Sequence, residues 1–280
     1  MDPMVAEFFH RLLRIRVTVA YAVIVTGVAT ELLYLGPRVQ DRVIRHASTN
    51  LHNLSHGRAG TLFVSAFVVD AGPIYLWLPG LVCLMALAEV LWGSSRLVIA
   101  FAIGHVGATL LVAVGLTAAV ERAWLPASVT RAIDVGMSYG AAAVLGSLTA
   151  AIPRRFRPAW LGWWLAAGIA TVVLGCDFTD VGHAAALALG MGVSTQFGDP
   201  ARWTRSAFVL LGAGAAFGFL LLAGTGSAAY VAAASGLAGA AGSEMLASWR
   251  VRRSKRDRSG QQLRPGVCQG EGDCASARTV

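Results

Sequence analysis

The chain has 280 residues, 56% of them hydrophobic and only 14% charged, with a formal net charge of +8. A soluble domain carries roughly 25% charged residues, so the composition excludes an ordinary soluble enzyme and reads as a polytopic membrane protein. The positive charge sits in Arg-rich loops and a basic tail without interleaved aromatics. It therefore sets nucleic acid aside as a partner and reads as orientation signals in a bilayer.

In chain order, eight apolar runs approach the ~20 residues that span a membrane: 17–35, 74–92, 97–119, 135–152, 159–176, 181–197, 206–224 and 227–247. The first is too long for a signal-peptide core and lacks a clear small-residue cleavage site, so it is expected to stay as a span. Between the first two runs lies a long connection, 37–73, that mixes Val39, Val43, Ile44, Leu51 and Leu54 with Arg and His. Its short apolar stretch, 61–69, cannot cross a bilayer as a helix; an amphipathic, half-submerged element is expected. The tail after Ser259 is Gly-, Gln- and Ser-rich and is expected to be disordered.

Three basic clusters fall on one side if the N-terminus is cytoplasmic: Arg154, Arg155 and Arg157; Arg202 and Arg205; and the run after Arg250. The connection at 37–58, with Arg38, Arg42, Arg45 and Arg58, is the one conflict. Of the 23 basic residues only Lys255 is a lysine, and Ala, Gly and Val abound, a bias that points to a GC-rich bacterial genome. Cys83 and Cys176 read as packing residues. Cys268 and Cys274 lie in the polar tail without a histidine nearby, so no metal is expected there. Trp160, Trp163, Trp164, Trp203 and Trp249 read as interfacial anchors. Gly214 with Gly218, and Ser235 with Gly239, read as helix-packing faces.

Chemistry concentrates in two small-residue frames. One is Asp134-Val135-Gly136-Met137-Ser138-Tyr139-Gly140 and the other Thr179-Asp180-Val181-Gly182-His183-Ala184. With the N-terminus inside, the fourth and sixth runs both travel inward. Ser138 and His183 then lie about three to four residues below the outer entry, at matched depth. A hydroxyl and an imidazole so placed form a candidate nucleophile–base pair. The bland alternatives are a serine bonded to its own helix and an interfacial histidine. His105, mid-way along the third run, is a polar intramembrane residue that either bonds across helices or belongs to a polar pathway. Glu89 reads as structural, pairing with Arg96 or with backbone N–H groups near the turn that follows it. Asp134, Asp177 and Asp180 read as helix N-caps and first-turn charges, with Asp180 a weaker candidate to orient His183.

Residues 61–197 resemble the rhomboid core. The features that carry the resemblance are the apolar approach at 61–67, Glu89-Val90-Leu91-Trp92-Gly93 as E-x-x-x-G, and the basic turn Ser94-Ser95-Arg96-Leu97. Gly136-Met137-Ser138 fits G-x-S with Gly146 eight residues on. Gly182-His183 with Gly190 fits A-H-x-x-G-x-x-x-G, Ala186 standing for its first glycine. The resemblance implies Ser138 as nucleophile and His183 as general base of an intramembrane serine protease. It departs from the family where a His and an Asn usually help hold the oxyanion: those positions fall at Pro73 and Trp77. Tyr139 also stands where a glycine usually follows the serine. Gly136, Tyr139 and Trp77 remain as candidate oxyanion or substrate-proximal residues.

The expected fold is all-α: a rhomboid-like six-helix membrane core (17–197) plus two C-terminal transmembrane helices (198–249). It is flanked by a cytoplasmic N-terminus (1–16) and a basic cytoplasmic tail (250–280). The expected function is cleavage of transmembrane segments through a Ser-His dyad in a bacterial plasma membrane. The alternative is a pseudoprotease that binds or stabilises membrane clients. A small transporter is a third class, for which no inverted repeat is visible. No cofactor or metal is expected. The partners are a transmembrane substrate or client and the lipid bilayer.

Overall fold

The computed structural model describes residues 12–69, 71–175 and 177–262, without the side chains of 71–74, 251 and 254–262. Cys176, Cys268, Cys274, the side chain of Pro73 and the start of the N-terminal segment lie outside what is described. All regular structure among the described residues is helical. The long helices are α1 (Arg16–Leu35), α5 (Ala71–Trp92), α6 (Ser94–Glu121), α7 (Ser138–Ala151), α8 (Arg157–Gly175), α9 (Phe178–Ser194), α10 (Arg205–Ala223) and α11 (Ser227–Gln262). Between α1 and α5 run α2 (Pro37–Ala47), α3 (Leu51–Ser55), α4 (Thr61–Val64) and a 3-10 turn, Ser65–Phe67.

Among the described residues, five helices are long and apolar enough to cross a membrane: α1, α5 over Tyr75–Trp92, α6, α8 and α10. The protein is therefore a multi-pass membrane protein. The eight full-length crossings expected from sequence differ from this in three places. The run at 135–152 shortens to α7, 14 residues, because Gly136 adopts φ +119° and helix begins only at Ser138. The run at 181–197 becomes α9, 17 residues, which starts early because Asp177 caps it by accepting from Thr179 N. The last run does not stop at 247 but continues as helix through the basic segment to Gln262.

The short α7 is the hub of the bundle. All its residues except Ser138 and Ala150 are buried. Its composition, almost wholly Ala, Gly, Ser and small apolar residues, explains how so many neighbours pack on it. Against α6, a Cβ on Gly104 would strike Ala143, and one on Gly140 would strike Phe101. Against α9, a Cβ on Gly146 would meet the Leu187 carbonyl and one on Gly190 the Ala143 carbonyl. Tyr139 meets Gly182 at one end of this seam and Gly146 meets Met191 N at the other, so α7 and α9 run parallel. Because α7 is short, its last carbonyls need partners inside the protein. Arg157 Nη2 donates to Ala150 O (2.7 Å) and Ile152 O (3.2 Å), and Trp203 Nε1 donates to Ala151 O (3.0 Å).

At the same end of the bundle, α5 and α1 meet through Glu89, which is 2% exposed. Its Oε1 accepts from Val17 N (3.0 Å) and Ser94 Oγ (2.7 Å). Its Oε2 accepts from Thr18 N (2.9 Å) and Thr18 Oγ1 (2.7 Å). The carboxylate thus caps the first turn of α1, where orphan amides and the helix dipole both favour an anion. The expected partners are Arg96 or backbone N–H groups near the turn; the structure assigns no bond to Arg96, the backbone amides belong to α1 instead, and the turn supplies only the Ser94 hydroxyl. Gly93, at φ +83°, turns the chain directly from α5 into α6.

The two C-terminal helices pack differently from each other. On α10, Gly214 faces Leu84 of α5 and Gly218 faces Leu145 of α7, as the GxxxG pair requires. On α11, the face packed on α8 is Gly236, Gly239 and Ser243, meeting Trp163 and Gly162. Gly239 is therefore on the seam as expected, and Gly236 packs there with it.

Candidate active site

The site is built at the end of the bundle opposite Glu89. There the connection between α1 and α5 folds over the strand of chain that leads into α7. Thr49 donates from both N (2.9 Å) and Oγ1 (3.1 Å) to Asp134 O, and Asp134 N donates to Ser48 Oγ (2.9 Å). Gly136 N donates to Ser65 O (2.9 Å). Asn53, buried, ties the connection to itself through Arg45 O and Ser48 O. An apolar patch of Leu32, Ile44, Ala47 and Val68 anchors the amphipathic α2 against α1. The element expected to lie half-submerged thus fixes the approach to Ser138.

Ser138 is the first residue of α7, preceded by Met137 in helical conformation and Gly136 at positive φ. No side chain caps this helix start, and Asp134, expected as a cap, instead uses its backbone to hold the loop. The first intrahelical bond is from Ala141 N to Met137 O (2.8 Å). The amides of Ser138, Tyr139 and Gly140 therefore lie ahead of the ladder, at the positive end of the helix dipole. The Asp134 carboxyl, outside the membrane-spanning segments, is pushed up to about 6 by desolvation.

His183 lies in the second turn of α9. Tyr139 and Gly182 are in van der Waals contact so close that a Cβ on Gly182 would overlap the Tyr139 ring. The Tyr139 and His183 rings meet edge to face at 5.3 Å. So the residue after Ser138 touches the residue before His183, and the two frames found in the sequence come together at one depth. No hydrogen bond joins Ser138 to His183. Both ring nitrogens of His183, and the Tyr139 hydroxyl, are buried without a hydrogen-bond partner among the described residues. Buried polar atoms usually have partners; Trp92, His105, Thr109, Arg157 and Trp164 also carry one each without a partner among the described residues, and His183 carries two. The site thus joins an imidazole with two unpartnered nitrogens, through the Tyr139 contact, to the helix start that bears the half-buried Ser138 and its leading amides.

The remaining candidates go elsewhere. Trp77, 40% exposed, packs edge-on against Phe217 of α10 at 6.4 Å. His105 is 4% exposed; its Nε2 bonds Ser65 Oγ (3.1 Å) and its ring stacks on Phe101. Of its two sequence readings, the bond across elements is the one observed. His52 of α3 and His56 just after it meet ring to ring, tilted at 48° with centroids 4.3 Å apart. Sequence reasoning missed Ser48, Thr49 and Ser65 as the residues that pin the loop before Ser138. Their only signal was a cluster of small hydroxyl residues in a connection otherwise rich in Arg and His.

A helical membrane bundle with a hydroxyl and an imidazole on two glycine-packed parallel helices defines a narrow class. The chain belongs to the rhomboid-like protein family: the sequence model of the family described as Rhomboid-like protein matches residues 16–197. Neither curated proteins nor solved structures give a match to the chain. The matched region runs from α1 through α9 and leaves α10 and α11 outside it.

Proposed function

We propose that the protein is an intramembrane serine protease that cleaves transmembrane segments, with Ser138 as nucleophile and His183 as general base. The observation that carries this reading is the buried, unpartnered imidazole of His183 one contact away from the helix start that bears Ser138. Ser138 Oγ attacks the scissile carbonyl while His183 takes its proton. The resulting oxyanion is held by the leading amides of α7. Collapse expels the amine, which receives the proton from His183, and leaves an acyl ester on Ser138. Water, deprotonated by His183, then releases the acid. No cofactor enters these steps. We place the protein in a bacterial plasma membrane with both termini cytoplasmic, so that the Ser138 end faces outward, as the three basic clusters favour.

The second reading is a pseudoprotease that binds or stabilises membrane clients. Two observations favour it: Ser138 and His183 share no hydrogen bond, and Trp77 is turned to α10. A fluorophosphonate probe and a model transmembrane substrate in proteoliposomes separate the two. A protease gives labelling and cleavage that vanish in Ser138→Ala and His183→Ala. A pseudoprotease gives neither, and both variants retain clients as the wild type does.

A further inference from the structure

At the end of the bundle away from Ser138, two cavities that share a wall lie outside the site above. One is a groove of about 610 Å³ between α8, α10 and α11, lined by aromatic and aliphatic side chains such as Phe156, Trp163, Phe208 and Phe219. The other, about 750 Å³, is polar and is lined by Arg154, Arg157, Thr149, Ser194, Thr195 and Asp199. Ile152, Pro153 and Trp203 border both. The groove offers a peptide little to bond, because two of its indole donors are already committed: Trp160 Nε1 to Thr149 Oγ1 (3.1 Å) and Trp203 Nε1 to Ala151 O. The polar cavity has the opposite character. Arg157 holds the carbonyl end of α7 with Nη2 and makes no other hydrogen bond among the described residues. Arg154 is exposed and unbonded, and the N-terminus of α8 adds its partial positive charge. Arg155 and Arg202 flank it in sequence, against the single acid Asp199.

An apolar slot opening into a basic pocket at one end of membrane-spanning helices has the shape and charge of a phospholipid. We propose that one acyl chain of an anionic phospholipid lies in the groove between α8 and α10, with its phosphate in the Arg154–Arg157 pocket. A basic pocket between helices at the membrane face binds such headgroups, and an apolar groove holds chains by burial. The phosphate could instead be a free anion, for which the groove would serve no purpose.

The test uses the full chain in a neutral detergent, with lipid retention read by native mass spectrometry and unfolding midpoint read by heating. Phosphatidylglycerol, phosphatidylcholine and inorganic phosphate are added separately. Phosphatidylglycerol is expected to be retained at one copy and to raise the midpoint above phosphatidylcholine, with phosphate alone having no effect. Arg154→Gln should weaken retention about five-fold, the effect of one basic residue near an anionic headgroup. Ala216→Phe fills the groove from an exposed position of α10. It should abolish the lipid-dependent rise while the lipid-free midpoint stays at the wild-type value. Arg157 is avoided because it caps α7. Equal retention of both lipids, a rise reproduced by phosphate alone, or wild-type retention in both variants would each overturn the proposal.

Discussion

Glu89 and His183 are both polar groups held inside a membrane protein, at opposite ends of the same bundle, and they are treated in opposite ways. Glu89 accepts four hydrogen bonds, two from α1 amides and two from hydroxyls. His183 has two buried nitrogens and no bond to either among the described residues. A buried charge that is fully bonded fixes geometry, whereas leaving a buried polar atom unpaired costs about 1–3 kcal/mol. Trp92, His105, Thr109, Tyr139, Arg157 and Trp164 carry one such atom each and His183 carries two, whereas the Glu89 carboxylate is fully bonded and is a structural joint. Under the protease reading, His183 is the residue left available for chemistry.

The steric frame around His183 gives the largest expected effect. Gly190 has no room for a Cβ, which would fall on the Ala143 carbonyl. Gly190→Leu should force α7 and α9 apart and destabilise the fold by more than about 4 kcal/mol, in the range reserved for severe core disruption. Loss of the folded species in size-exclusion chromatography is the readout. A folded, monodisperse variant would mean that the α7–α9 seam is looser than this packing implies.

Next comes the joint itself. Glu89→Ala strips partners from the first turn of α1 and should cost about 3 kcal/mol or more, since bonds to a charged group are the stronger kind. Glu89→Gln should cost less but still measurably, because its amide nitrogen turns a donor toward an α1 amide or hydroxyl. Thermal unfolding of the three proteins should rank wild type, Gln, Ala. If the alanine variant matched wild type, the contrast with His183 would lose its structural half.

Which parts of this were legible beforehand follows from where the information lies. Apolar runs and the Gly136-Met137-Ser138 and Gly182-His183 frames are local, so the helices and the convergence of the two frames could be read. The ends of α7 could not. They depend on a positive φ at Gly136 and on Arg157 and Trp203 reaching its carbonyls, which are tertiary events. Glu89 was recognisable as structural from its place before Gly93. Its partners, Val17 and Thr18, lie about seventy residues away and carry no motif. The orphaned nitrogens of His183 are equally invisible in sequence, because absence of a partner is a property of the whole fold.

A smaller effect tests the loop that delivers Ser138. Desolvation raises the Asp134 carboxyl from 3.8 to about 6. The folded protein therefore holds a proton there that the unfolded chain gives up. This favours the fold most below pH 3.8; the advantage declines as pH rises to about 6 and is gone above it. The full shift corresponds to at most about 3 kcal/mol, and partial exposure reduces that to about 1–2 kcal/mol. Asp134→Asn keeps the backbone bonds to Ser48 and Thr49. It should remove this slope between pH 4 and 6 and raise stability at pH 7. An unchanged slope would show that another group carries the titration.

The smallest effect on stability is the one that matters most for the comparison. The side chains of Ser138 and His183 make no hydrogen bond among the described residues, so neither side chain should contribute much to holding the bundle. Ser138→Ala should change the unfolding free energy by less than about 0.5 kcal/mol, as for positions without a structural role. His183→Phe keeps an aromatic edge for Tyr139 and removes two unpaired buried nitrogens, so it should be neutral or slightly stabilising. Under the protease reading both variants lose fluorophosphonate labelling while keeping the wild-type midpoint, the pattern of a site maintained at a cost to stability. A destabilised His183→Phe would reverse the argument. It would mean that the imidazole has a structural partner in the membrane, and that His183 and Glu89 are two joints of the same kind.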